Sequence, residues 1–142
     1  KEFRMDGIIL TPLKQIRTSK GSVLHAMKKG DEGYAGFGEA YFSTINKGDI
    51  KGWKKHIKMT LNLIVPVGKI EFVVYNEKHS EFFNVILSQD NYQRLTVSPG
   101  FWVAFKGLNE NNILLNLASV KHDPSETINT KLDDINYSWI KE

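Results

Sequence analysis

Lys54 and His56 stand two residues apart in a run that reads as a β-strand, so both side chains leave the same face. With unbroken alternation Lys58, Thr60 and Asn62 continue that face, opposite an apolar row of Ile57, Met59, Leu61, Leu63, Val65 and Val67. An imidazole beside an ammonium group offers a proton-transfer group and a cation, the pair that general acid–base and electrostatic catalysis use. A lysine desolvated among other cations has its pKa lowered and can itself be the base, with His56 then in the other role. The residues leave both assignments open. The cluster Lys51, Lys54, Lys55, His56 and Lys58 also suits a phosphate or diphosphate. The bland alternative is a polar strand face that simply meets water.

Composition narrows the field. The 142 residues suit a single domain, and 41% hydrophobic with 25% charged residues is ordinary globular composition. Nineteen Lys+Arg against 16 Asp+Glu leave a formal charge of +3 without a dense basic run, so no nucleic-acid partner is expected. Zero cysteines exclude disulfides, thiolate metal sites and cysteine nucleophiles. No apolar stretch approaches the ~18 residues of a membrane span, and Lys1-Glu2-Phe3-Arg4 is not followed by a signal-peptide core. The expectation is a cytoplasmic protein with no membrane partner.

The elements that must position these residues are short strands. A strand is expected from Ile57 to Val67, a turn at Gly68-Lys69, and a β-branched and aromatic strand from Ile70 to Tyr75. Further strands are expected over Phe82 to Leu87, Tyr92 to Val97, Phe101 to Lys106 and Ile113 to Val120, divided by polar or glycine-rich turns. Gly7 to Leu10 and Glu39 to Ile45 read as earlier strands, while Val23, Leu24 and Met27 are spaced for one helical turn. Close spacing of this kind predicts a sandwich or barrel, with a core over about 39–120 in a single domain spanning 1–142. Residues 124–142 read as an irregular tail whose Tyr137, Trp139 and Ile140 pack back onto the body.

The order of motifs resembles the dTDP-4-dehydrorhamnose 3,5-epimerase family, which are all-β, double-stranded β-helix proteins of the cupin jelly-roll class. Thr11-Pro12-Leu13 is similar to the family's T-P-L, and Lys51-Gly52-Trp53-Lys54-Lys55-His56 to its R-G-L-H-x-Q strand. Gly68 to Asn76 resembles its glycine turn with alternating valines. Leu87-Ser88-Gln89-Asp90-Asn91 resembles its L-S-x-x-N, and Gly100-Phe101-Trp102-Val103-Ala104-Phe105 its G-F-A-H-G-F. Pro124-Ser125-Glu126 and Ile135-Asn136-Tyr137-Ser138-Trp139 are family-like too, so the likeness runs from about Leu10 to Trp139.

The departures bear on function. In that family the histidine of R-G-L-H-x-Q is the base, and here Lys54 takes its place while His56 takes that of the glutamine. The family's enolate-stabilising lysine falls near Leu61 or Asn62, its catalytic tyrosine near Lys121 or His122, and the histidine of G-F-A-H-G-F is Val103. The pattern K-x-W-[HK]-x-H-x-x-M-T-x-N, which Lys51 through Asn62 fit, resembles a branch of epimerase-like and isomerase-like proteins of surface-polysaccharide pathways.

The resemblance implies an enzyme that moves a proton next to the ketone of a nucleotide-linked 4-keto-6-deoxyhexose, as epimerase or keto-isomerase. Lys54, His56 and His122 are the catalytic candidates. Lys51, Lys58, Asn62, Asn116 and Lys121 are the binding candidates, Asn116 because its amide faces opposite to Leu115 and Leu117 and needs a partner such as a sugar hydroxyl. A cupin metal site needs two histidines two apart, a nearby glutamate and a later histidine. With Lys54 in the first position, no glutamate between Ile57 and Lys69, and Val103 in place of the last histidine, no metal and no other cofactor are expected. His25 and His79 read as surface residues, and Phe101 and Trp102 as core. A homodimer paired through an extended sheet is expected. The rival is a non-catalytic sugar-nucleotide binding module, because one barrel hosts many functions.

Overall fold

A computed structural model describes residues 3–141 as two packed antiparallel sheets with a separate hairpin. One sheet contains β1 (Phe3–Met5), β2 (Ile8–Pro12), β5 (Glu39–Thr44), β7 (Leu61–Val67), β10 (Gln93–Val97) and β12 (Ile113–Ala118), in the order β1-β2-β10-β7-β12-β5. The other holds β6 (Ile50–His56), β8 (Lys69–Asn76), β9 (Glu81–Ser88), β11 (Trp102–Gly107) and β13 (Thr127–Asn129), in the order β13-β6-β11-β8-β9. Strands β3 (Gln15–Thr18) and β4 (Gly21–Leu24) pair only with each other. Val23 and Leu24 thus lie in a strand instead of the helical turn their spacing suggested; Gly21, at φ 141°, opens that strand in a conformation that favours glycine. The arrangement is the jelly roll of a double-stranded β-helix.

The two sheets bury their facing apolar rows against each other: Leu63, Val65, Leu95 and Val97 from one, Ile70, Phe72 and Val74 from the other. Each such side chain is worth about 1.5–3 kcal/mol when fully buried. A second cluster lies on the outer face of the five-stranded sheet, where Trp53, Val73, Trp102 and Ala104 are covered by Leu132, Ile135, Tyr137 and Trp139 of the tail. The tail is tied down by polar bonds as well. The Trp53 indole N–H donates to Leu132 O at 3.1 Å, and Trp53 and Thr130 exchange backbone bonds of 3.2 and 3.1 Å.

The strand expected over Ile57 to Val67 is divided. Residues 57–60 carry the chain from β6 in one sheet to β7 in the other, and their ladder bonds are replaced by long-range ones. Ile57 N donates to Glu126 O at 2.8 Å, Lys58 N and Met59 N donate to Glu126 Oε1 at 2.8 and 3.0 Å, and Thr60 N donates to Ser119 Oγ at 2.8 Å. Crossing between sheets changes which residues point inward: even-numbered ones at the end of β6, odd-numbered ones in β7.

A second phase change lies within β6. Val103 pairs with Lys54 and Phe105 with Lys51, so β6 carries one residue more than β11 between these pairs, a β-bulge. Gly52 sits in it at φ 156°, and a Cβ there would lie 2.3 Å from the Ala104 Cβ, so no larger residue fits without displacing β11. The bulge turns Lys51 onto the same face as Lys54 and His56.

Candidate functional site

Between the sheets, at the end where β6 and β5 face each other, is a cavity of about 340 Å³. Lys51, Lys54 and His56 of β6 form one wall, with Val103 and Phe105 of the adjacent β11 beside them. Tyr41 and Ser43 of β5 and Asn116 of β12 line the opposite sheet, Leu61 and Leu63 of β7 and Leu114 of β12 form the apolar floor, and Asn129 of β13 reaches in from the tail. A few polar groups set into an apolar cavity are the usual composition of a small-molecule site.

His56 is buried, and its Nδ1 lies 2.5 Å from Oε2 of Glu126, itself 2% exposed. The same carboxylate holds the sheet crossover through Oε1, so three groups fix its orientation. Burial pushes the Glu126 carboxyl up, but the bonds from His56 and from the Lys58 and Met59 N–H groups outweigh it and leave the pKa below the usual carboxylate value. A carboxylate at Nδ1 accepts that nitrogen's proton in a hydrogen bond and leaves the lone pair on Nε2, the tautomer a base needs. Nε2 makes no hydrogen bond within the described residues.

Lys54 is exposed and free of ion pairs among the described residues, whereas the Lys51 ammonium donates to Thr44 O at 2.8 Å. Asn116 is 1% exposed with its amide fully engaged: Oδ1 accepts from Asn62 N at 3.1 Å, and Nδ2 donates to Tyr41 Oη at 2.9 Å and faces Met59 Sδ at 3.8 Å.

Other candidate residues lie elsewhere. The Asn62 side chain points away from Leu61 and Leu63, donates to Gly33 O at 3.0 Å and accepts from Thr96 Oγ1 at 2.5 Å. It belongs to a clamp with Tyr92 and the buried Arg94, which donate to His25 O and Ala26 O, each at 2.7 Å, and hold residues 25–33 on the outer face of the six-stranded sheet. Lys58 contributes its backbone N–H, while its side chain is exposed outside the cavity. Lys121 and His122 are exposed beyond β12, where His122 N donates to Glu39 Oε1 at 2.8 Å. His25 and His79 are exposed as expected, and Trp102 is buried. Among the described residues no group of three or more His, Asp or Glu could hold a metal. No helix among them is long and apolar enough to cross a membrane.

Sequence reading missed Glu126 as the partner of His56, and Tyr41, Ser43 and Asn129 as lining residues. The odd-numbered residues of the strand expected over Glu39 to Ile45 carried a usable signal, since Tyr41 and Ser43 are polar residues spaced to share one face. Nothing local pointed from Glu126 to a histidine 70 residues away.

Fold and cavity make this protein a cupin. The chain belongs to the family described as FdtA, WxcM-like C-terminal, whose model matches residues 8–138. A dTDP sugar isomerase from Desulfovibrio desulfuricans G20 superposes with a TM-score of 0.89 at 30% identity, over 94% of this chain and 91% of that one. The 3,4-ketoisomerase QdtA from Thermoanaerobacterium thermosaccharolyticum, solved with TDP-4-keto-6-deoxyglucose, superposes with a TM-score of 0.76 at 23% identity over 88% of each chain. A dTDP-4-dehydrorhamnose 3,5-epimerase from Sulfolobus tokodaii gives 0.84 at 20% identity, over 96% of this chain and 85% of that one. No curated protein sequence matches significantly.

Proposed function

We propose that the protein is a sugar-nucleotide isomerase that moves the ketone of a nucleoside-diphosphate 4-keto-6-deoxyhexose to the adjacent carbon. The observation that carries this reading is the buried His56–Glu126 pair opening onto the cavity. His56 Nε2 is the base, Lys54 supplies positive charge at the developing oxyanion, and Lys51 with Lys54 attracts the diphosphate. Both basic side chains stand on one strand, so a proton lifted and returned by this wall stays on one face of the sugar. That suits movement between neighbouring carbons, whereas epimerisation requires return from the opposite face.

The test is incubation in heavy water with thymidine-diphosphate-linked 4-keto-6-deoxyglucose, followed by NMR. Deuterium entering the carbon next to the ketone, together with a product whose ketone has moved, is the expected outcome. Binding with no exchange above the uncatalysed rate identifies a binding module and overturns the proposal.

The same protein is proposed to act as a homodimer. The β3–β4 hairpin is an isolated two-stranded ribbon whose paired Ile16 and Val23 are 39% and 54% exposed, and such ribbons are marginal in water. Edge strand β5 presents Ala40, Phe42 and Thr44, with Phe42 69% exposed. Light scattering at micromolar concentration should give twice the chain mass, and a monomer there would refute the pairing.

A further inference from the structure

Resting on that reading, we infer that Asn129 binds the sugar's 2-hydroxyl and so restricts the substrate to hexoses that keep it. Strand β13 pairs Asn129 directly with Lys54, and Thr127 with His56. Residues directly opposite across antiparallel strands share a face, with Cβ atoms about 4.5–5.5 Å apart. Asn129 therefore stands beside Lys54 on the wall that carries the base, and both line the cavity.

The local pattern of β13 runs against burial. Ile128 faces outward and is 40% exposed, while Asn129 is turned to the cavity. Packing alone favours the reverse, because asparagine is depleted in strands and an apolar side chain gains from a sheltered face. The backbone is held on both sides of this residue: Ile57 N donates to Glu126 O at 2.8 Å, and Thr130 and Trp53 exchange bonds of 3.1 and 3.2 Å. The Asn129 amide itself makes no hydrogen bond among the described residues. On the same wall Lys51 is engaged with Thr44 O, and across the cavity both ends of the Asn116 amide are bonded. The Ser43 hydroxyl is also unengaged, but it belongs to the opposite sheet. An amide held in place with donor and acceptor both unspent matches a hydroxyl, which donates and accepts as well.

The sugar supplies the matching geometry. A ketone at C4 can move only to C3, because C5 carries the ring oxygen and no hydroxyl. With C3 at His56, its two neighbouring carbons bear the ketone oxygen and the 2-hydroxyl, which lie about one strand spacing apart. When the ketone oxygen meets Lys54, the 2-hydroxyl falls one strand to the side. On one side of Lys54 that place is held by Asn129, and on the other by Val103, which offers it no hydrogen bond.

The test compares initial rates of deuterium exchange at C3 for thymidine-diphosphate-linked 4-keto-6-deoxyglucose and its 2-deoxy counterpart. Wild type should favour the first by about tenfold in kcat/KM, the worth of one neutral hydrogen bond. Asn129→Ala should lower the first by about that factor and leave the second within about twofold, which erases the preference. Damage to the fold would lower both sugars alike. Asn129→Ser, whose hydroxyl stops short of the sugar, should give the same pattern and keeps the test decisive if the alanine variant does not fold. A preference that survives in the variants overturns the inference and moves recognition to another group such as Ser43. An equal fall for both sugars also overturns it, since Asn129 would then be structural. Wild type that exchanges neither sugar overturns both this inference and the function on which it rests, whereas an active wild type without preference overturns the inference alone.

Discussion

His56→Asn should lower turnover by about 10²–10⁴-fold, the usual contribution of a positioned general base, while leaving the fold intact. The substitution keeps a polar group in the cavity wall and removes the Nε2 lone pair. The Glu126 carboxylate keeps its two backbone donors, Lys58 N and Met59 N, so the crossover between the sheets stays tied. Steady-state kinetics with the thymidine-diphosphate sugar, paired with thermal unfolding, separates the two effects. An enzyme within about tenfold of wild type would move the base to Lys54, and Lys54→Met would then carry the larger loss.

Glu126→Gln should cost a comparable factor in rate for a different reason. Its carbonyl oxygen must accept from the Lys58 and Met59 N–H groups, which leaves the NH₂ facing His56 Nδ1. That nitrogen must then accept, the ring proton moves to Nε2, and the base is blocked in a ring of unchanged position. The loss of a charged acceptor also lowers stability by about 1–3 kcal/mol. The sign of the pH dependence follows from the depressed pKa of Glu126. A carboxyl held below its unfolded value, about 4.3, contributes stability that is fully present above that value and is lost as pH falls through the folded one. The gap in melting temperature between wild type and Glu126→Gln should therefore be constant from about pH 5 upward and close in more acidic buffer. A gap that widens on acidification would contradict the assigned charge state.

Much of the sheet was legible because its strands are local patterns. Ile70, Phe72 and Val74 alternate between Gly68 and a polar loop, and they form the inward row of β8. The pairing of Lys54 with His56 on the cavity wall was legible for the same reason, as two residues of one strand separated by one. What periodicity could not reveal were its interruptions. The hydrophobic alternation runs without a break through 57–60, yet the chain changes sheets there, so Asn62 leaves the face of His56 and Leu61 and Leu63 replace it. The bulge at Gly52 moves Lys51 in the opposite sense, onto the cavity face from which simple alternation excludes it. Both features are set by packing against distant strands, and one residue of phase decides every side chain that follows.

The tail was the least legible part, because its order comes from what it covers. Residues 127–129 are too short to announce a strand, and they become one by pairing Thr127, Ile128 and Asn129 with His56, Lys55 and Lys54. The aromatic residues Tyr137 and Trp139 were readable as anchors, but the strand between barrel and anchors was not.

That edge strand has a consequence for the order in which the molecule is made. Synthesis runs from the N-terminus, so all strands of the barrel proper leave the ribosome before Glu126 and Asn129 do. A nascent chain that has made every other strand of both sheets still lacks the carboxylate bonded to the imidazole of His56. The segment after Pro124 thus supplies the partner of His56 and the acceptor for the crossover N–H groups after the other strands exist, and a chain cut before Pro124 would have neither.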